Sequence, residues 1–209
     1  MKKSLLLALS LLALVFTSVA QSVTVTQPNG GETLYGCQTY QIKWTATGVS
    51  NFWNIEYSLN NGSTWTTDAT NLSVTPSGGV YTYTWTVPSV VSSTCLVRIT
   101  DFSDALKTDN SNALFAVAQA VVVNTPNGGE SWQGLTNQSI TWSNPGTAGP
   151  FNIAYSVNGG STWTSIQSNY SGNSLTWNVP NNPNTTALVR VQNAGNTCQS
   201  DVSVSSPES

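Results

Sequence analysis

The sequence predicts an all-β protein, two tandem β-sandwiches of about seven strands each behind a cleaved leader. Three observations carry this. Short runs with apolar residues at every second position end repeatedly in Gly, Pro or Asn turn signals. No window beyond residue 20 shows the i, i+3, i+4 apolar spacing of a helix. Finally, the 209-residue chain repeats itself nearly end to end.

Residues 1–20 have the pattern of a secretory signal. Lys2 and Lys3 open it, Leu5 to Phe16 form its apolar stretch, and Ser18-Val19-Ala20 offers small residues at a cleavage site. That apolar stretch is too short for a membrane span of about 20 residues, and no later segment is apolar enough. Cleavage makes Gln21 the mature N-terminus. The expected domains are then a first sandwich over 21–118 and a second over 119–209, with a short or truncated last strand.

In the first copy, Ser22 to Gln27 alternates and stops at Pro28-Asn29-Gly30-Gly31. Tyr40 to Trp44 and Trp53 to Tyr57 alternate in the same way. Asn60-Asn61-Gly62 then signals a tight hairpin, because Asn and Gly tolerate the positive φ such turns require. Tyr81 to Val87 alternates until Pro88, which cannot continue a sheet ladder. Cys95 to Thr100 and Ala113 to Val117 follow.

The second copy runs at an offset of 98, with 19 identities in the 39 positions from 28 to 66. The offset then falls to 92, where Thr84-Trp85-Thr86-Val87-Pro88 meets Thr176-Trp177-Asn178-Val179-Pro180 and Leu96-Val97-Arg98 meets Leu188-Val189-Arg190. A period near 95 residues exceeds a solenoid unit and fits one self-sufficient sandwich.

Composition narrows the chemistry. Ser, Thr and Asn number 28, 28 and 22, charged residues make up 7%, and there is no His. Without His there is no Ser-His-Asp or Cys-His nucleophile and no histidine-bound metal. The chain after residue 20 has four Lys/Arg against nine Asp/Glu, so it offers no basic stripe for nucleic acid and little attraction to an acidic membrane. No cofactor is expected.

Secretion puts Cys37, Cys95 and Cys198 in an oxidising setting. Cys37 aligns with Leu135 and Cys95 with Ala187, so both are lost together in the second copy, as bonded partners would be. A Cys37–Cys95 disulfide is therefore expected, stabilising the first module by about 4 kcal/mol. Cys198 is left free or bonded to another chain.

The spaced motifs P-N-G-G-E, I-x-W, Y-S-x-N-x-G-S-T-W, T-W-x-V-P and L-V-R occur in both halves. Together they resemble the Kre9/Knh1-type domain of fungal cell-wall glucan-assembly proteins, also found in secreted bacterial surface proteins of the Bacteroidetes type. The resemblance implies an immunoglobulin-like or fibronectin-III-like sandwich in an extracellular or cell-surface setting, and it carries no catalytic residues. The sequence departs from that pattern at its end: Ala113 to Val117 has no apolar counterpart, leaving Val202 and Val204 as a short last strand or an edge open to a partner.

Each candidate site has a structural reading. Ser58, Asn60, Gly62 and Trp65, repeated as Ser156, Asn158, Gly160 and Trp163, resemble the Asp-box hairpin with Asn in place of Asp. Trp44, Trp85, Trp142 and Trp177 are expected in the cores. Glu32, Asp109 and Arg98, repeated as Glu130, Asp201 and Arg190, predict an ion pair from each Arg to one repeated acid. Asp101 and Asp104 fall in an expected loop, a weak calcium candidate. The resulting expectation is a non-catalytic structural or adhesion module whose partner is a polysaccharide or another surface protein. The alternative is a carbohydrate-binding or cell-wall-assembly accessory.

Overall fold

A computed structural model describes residues 22–204, so the leader, its cleavage site and residues 205–209 lie outside it. The first sandwich contains β1 (Val23–Gln27), β2 (Thr33–Tyr35), β3 (Thr39–Ala46), β4 (Phe52–Ser58), β5 (Thr66–Ser73), β6 (Val80–Thr86), β7 (Ser92–Asp101), β8 (Asp104–Asn110) and β9 (Phe115–Ala118). The second contains β10 (Val122–Thr125), β11 (Asn137–Ser143), β12 (Phe151–Ser156), β13 (Thr164–Tyr170), β14 (Ser174–Asn178), β15 (Leu188–Asn193) and β16 (Ser200–Val202).

One sheet of the first sandwich has the order β1-β3-β6, and the other β2-β9-β7-β4-β5 with β8 also on β7. The second repeats this as β10-β11-β14 and β13-β12-β15-β16. Both are immunoglobulin-like, with antiparallel ladders except where β2 runs parallel to β9.

The strands differ from expectation in two places. β5 reads Thr66-Thr67-Asp68-Ala69-Thr70-Asn71-Leu72-Ser73, an edge strand with mostly exposed side chains and hence no apolar alternation to find. Asp104 opens β8 rather than lying in a loop. Nine strands in the first sandwich against seven in the second follow from β2 and β9, which have no counterparts among the described residues.

Alternation places the core. Trp44, Trp53, Ile42, Ile55, Val97 and Ile99 are at most 1% exposed between the sheets of the first module. Trp44 meets Trp53 edge-on at 5.2 Å and stacks on Tyr81 at 5.5 Å. The second core uses the equivalent Trp142, which meets Phe151 at 5.8 Å and Tyr170 at 6.0 Å. Each such side chain contributes about 1.5–3 kcal/mol by leaving water. Trp44 and Trp85 are buried at 0% and 1% and Trp142 at 2%, whereas Trp177 is only half-buried.

The indole N–H groups of Trp44, Trp53, Trp85 and Trp142 face apolar neighbours without an acceptor. Their stabilisation therefore comes from area and ring packing, not from hydrogen bonding. Trp44→Ala should cost about 3–5 kcal/mol, as for other large core truncations. Trp44→Phe, which keeps an aromatic ring and gives up no hydrogen bond, should cost less than half as much. Urea unfolding followed by circular dichroism compares them; equal losses would mean that the indole N–H does contribute.

Candidate functional site

The two predicted hairpins are built alike. Ser58 Oγ donates to Asn60 Oδ1 at 2.9 Å and accepts the Gly62 N–H at 2.9 Å. Asn60 Oδ1 also accepts the Thr64 N–H at 2.9 Å, and its amide donates to Thr64 Oγ1 at 2.8 Å. Ser156, Asn158, Gly160 and Thr162 repeat these bonds at 2.9, 2.9, 2.9 and 2.8 Å. Asn60 and Asn158 thus spend their polar atoms on their own turns, which makes the motif a hairpin lock.

Trp65 and Trp163 lie half-buried beside these turns, each under a guanidinium. Arg98 sits 4.2 Å from the Trp65 ring centroid and Arg190 4.5 Å from that of Trp163. The acid paired with Arg98 is neither Glu32 nor Asp109, as the repeat suggests, but Glu56, at 2.7 Å. Glu56 stands directly opposite Arg98 across the β4–β7 ladder. In the second module Ala154 takes that place opposite Arg190, so a comparison restricted to repeated acids passes over Glu56. The pair is part-exposed and worth about 0–1 kcal/mol.

The repeated acids close the backbone instead. Glu32 accepts the N–H groups of Asn29 and Gly30, both at 2.7 Å, and Glu130 accepts that of Asn127 at 2.8 Å. Asp109 accepts the Val25 N–H and Asp201 the Val123 N–H, each at 2.8 Å, next to register shifts in the first strand of each module.

Asp101 is a further buried acid, 1% exposed. Its carboxylate accepts the Ser50 N–H at 2.7 Å, the Ser50 hydroxyl at 2.8 Å and the Ser103 N–H at 2.8 Å. Burial alone would raise its pKa, but these donors and nearby Lys107 outweigh it and hold the carboxyl below 3.8. Its bonds tie two loops together. Among the described residues no group of three His, Cys, Asp or Glu could hold a metal.

The disulfide overturns the expected Cys37–Cys95 pairing: Cys37 is bonded to Cys198, with Cα atoms 5.9 Å apart and 161 residues between them in sequence. Cys95 is a free, fully buried thiol. The physical reason lies in side-chain direction. Cys95 shares the inward face of β7 with Val97 and Ile99 and lies opposite Phe115, so it is a small core residue. Cys37 sits in the turn after β2, its N–H bonded to Val87 O at 2.8 Å, while Gly36 N–H bonds Ala118 O at 2.9 Å where the chain leaves the first module.

That turn faces the loop between β15 and β16. Asn196 Nδ2 donates to Cys37 O at 2.9 Å, beside the disulfide. Tyr35 packs on Gly146 so closely that a Cβ there would lie 2.3 Å from the ring. Only a crevice of about 100 Å³ remains at the junction. The available signal is positional: at offset 92, Cys198 aligns with Leu106, near the start of β8 and 93% exposed.

A concavity lies elsewhere, in the second module. It is a cleft of about 930 Å³ whose walls include Trp132, Tyr155, Trp177, Pro180, Pro183 and Leu188. No carboxylate pair faces another there. Among the described residues its lining carries a single acid, Glu130, beside apolar surface and polar backbone, and the cleft is of a size to hold a ligand.

No family model and no curated protein matches the chain. Solved structures resemble it in part. Fibronectin(III)-like modules of Clostridium thermocellum CbhA are 17% identical, over 88% of this chain and 94% of that one, with a TM-score of 0.27. The I9–I11 tandem from titin is 9% identical over 90% and 66%, with a TM-score of 0.42. SGBP-B from a xyloglucan utilization locus in Bacteroides uniformis is 9% identical over 88% and 47%, with a TM-score of 0.27.

Two outcomes are expected of these side chains. Non-reducing peptide mapping should recover Cys37 linked to Cys198, with Cys95 alkylated only after denaturation; a Cys37–Cys95 peptide would contradict the junction. Asp101 has a lowered folded pKa, so its stabilisation is present above about pH 4 and is lost as pH falls through the folded value. Asp101→Asn should therefore cost about 1–3 kcal/mol at pH 7. The gap to the parent should narrow below pH 4; a gap independent of pH would show that ionisation is not what matters.

Proposed function

We propose that the chain acts outside the cell as a non-catalytic, stiff two-module element of a surface or matrix, spacing or adhering rather than transforming a substrate. The observation that carries this reading is the Cys37–Cys198 bond across the module junction. Residues separated by 161 positions are joined where the first module ends and the second begins, so the bond limits rotation between modules. Structural disulfides form chiefly in oxidising compartments, in keeping with the secretory pattern of residues 1–20.

The motif resemblance to fungal wall-assembly domains supports the same setting. So does a surface with few charges, in which the repeated acids are spent on backbone N–H groups. The buried Asp101 is likewise held by serine donors.

The reading requires one dominant arrangement of the two modules. Small-angle scattering of the mature chain should fit a single shape, and Cys198→Ser should broaden the distance distribution while each module stays folded. Protein recovered from the medium of the producing organism should begin at Gln21 and carry the disulfide. Retention inside the cell with reduced cysteines, or an unchanged distribution in Cys198→Ser, would remove the proposal.

A further inference from the structure

The first sandwich shows what closes it. β9 runs along the start of β7, with Phe115 opposite Cys95 and Val117 opposite Ser92. On its other side it runs parallel to β2, with Ala116 opposite Thr33 and Val117 opposite Leu34. Phe115 and Val117 point inwards at 1% exposure, and Phe115 meets Trp85 edge-on at 6.4 Å.

The repeat stays in register up to this point. The Val97 N–H bonds Ser111 Oγ at 3.1 Å and the Val189 N–H bonds Ser203 Oγ at 2.9 Å. Asn112 N–H reaches Asn29 Oδ1 and Val204 N–H reaches Asn127 Oδ1, at 2.7 and 3.4 Å. By sequence, offset 92 then aligns Phe115, Ala116 and Val117 with Pro207, Glu208 and Ser209. Proline has no N–H for a ladder, and neither Glu nor Ser supplies the apolar side chains that β9 inserts.

The consequence appears residue by residue. Cys95 is fully buried, yet its counterpart Ala187 is exposed. Trp85, Leu34 and Val87 are buried at 1%, 3% and 1%, while Trp177, Trp132 and Val179 are half-exposed. β7 begins at Ser92 but β15 only at Leu188, and residues 131–133 are not a strand although β2 is. These are the backbone stretches that β9 pairs with in the first module, and between them lies the 930 Å³ cleft.

We propose that this cleft is a β-strand acceptor. Its occupant is an extended segment of another polypeptide with a large apolar residue, a small one, then a β-branched one, the Phe-Ala-Val order of Phe115 to Val117. It lies antiparallel to β15, extending that edge through residues 184–187, and parallel to 131–133. Main-chain hydrogen bonds give affinity, and the pockets beside Trp177 and Trp132 read the alternate side chains. This goes beyond the spacer reading and does not depend on the disulfide.

The probe is a synthetic peptide with the sequence of Asn112 to Gln119, flanked by lysines for solubility, titrated into the mature chain and followed by tryptophan emission and fluorescence anisotropy. Saturable one-to-one binding is expected. An Asp in the Phe115 place of the peptide should weaken it at least about tenfold, the effect of roughly 1.4 kcal/mol. A chain in which residues 205–209 are replaced by the Ala113 to Gln119 sequence should fill its own cleft, melt at higher temperature and no longer bind the peptide. Several results would overturn the proposal: no saturation up to millimolar peptide, unchanged affinity of the Asp peptide, or binding retained by the filled chain. Displacement by soluble glucan oligosaccharides would assign the cleft to sugar instead, and a self-associated chain that excludes the peptide would assign it to a second copy.

Discussion

Two sheets can face each other in each module only because one indole spans the gap between them. Trp44 on β3 reaches Trp53 on β4 at 5.2 Å, and Trp142 on β11 reaches Phe151 on β12 at 5.8 Å, so in both modules an indole bridges the two sheets. The rest follows from keeping that side chain dry. β3 and β11 must alternate so that Ile42 and Ile140 share the inward face, β4 and β12 of the opposite sheet must present Ile55 and Ile153 to it, and polar groups must stay at the rims. The hairpin locks and turn carboxylates sit at those rims, where backbone N–H groups would otherwise lack partners.

What was legible in the sequence was whatever the duplication doubled. Trp44 and Trp142, the Ser58 and Ser156 hairpins and the offset of 92 beyond Thr84 all emerge as pairs, and pairing separates a constraint from an accident. Features present once were harder to see. Glu56 has Ala154 as its counterpart and so falls outside the repeated acids, although it carries the ion pair to Arg98. The polar strand β5 has almost no buried side chain, and hydrophobic periodicity reports only strands that bury one.

The disulfide failed for a deeper reason. Joint absence of Cys37 and Cys95 from the second copy points to a bond inside one module only if the two modules are independent units. The junction breaks that symmetry. One module presents its β2–β3 turn and the other its β15–β16 loop, so a bond across it pairs non-equivalent positions. The equivalents of Cys198 and Cys37 are Leu106 and Leu135, which are 93% and 68% exposed and so lie away from the junction. Cys95 and Ala187 differ for a separate reason: Cys95 lies opposite Phe115 of β9, whereas among the described residues no strand lies over the exposed Ala187.

The same broken symmetry explains why the two cores differ in finish. The first module closes around Phe115, which covers Trp85 and lets Cys95, Val87 and Leu34 leave water altogether. The second keeps the floor of that arrangement and enlarges it, with Trp132 in place of Leu34, 6.3 Å from Trp177. An uncovered wall that had lost all use would be expected to exchange apolar for polar side chains, because exposed aromatic surface favours non-specific association. Here the wall instead carries an indole, Trp132, at the position equivalent to Leu34 of β2. The cleft therefore retains the geometry of a strand site and increases its apolar surface, a combination that stability of the isolated module does not demand.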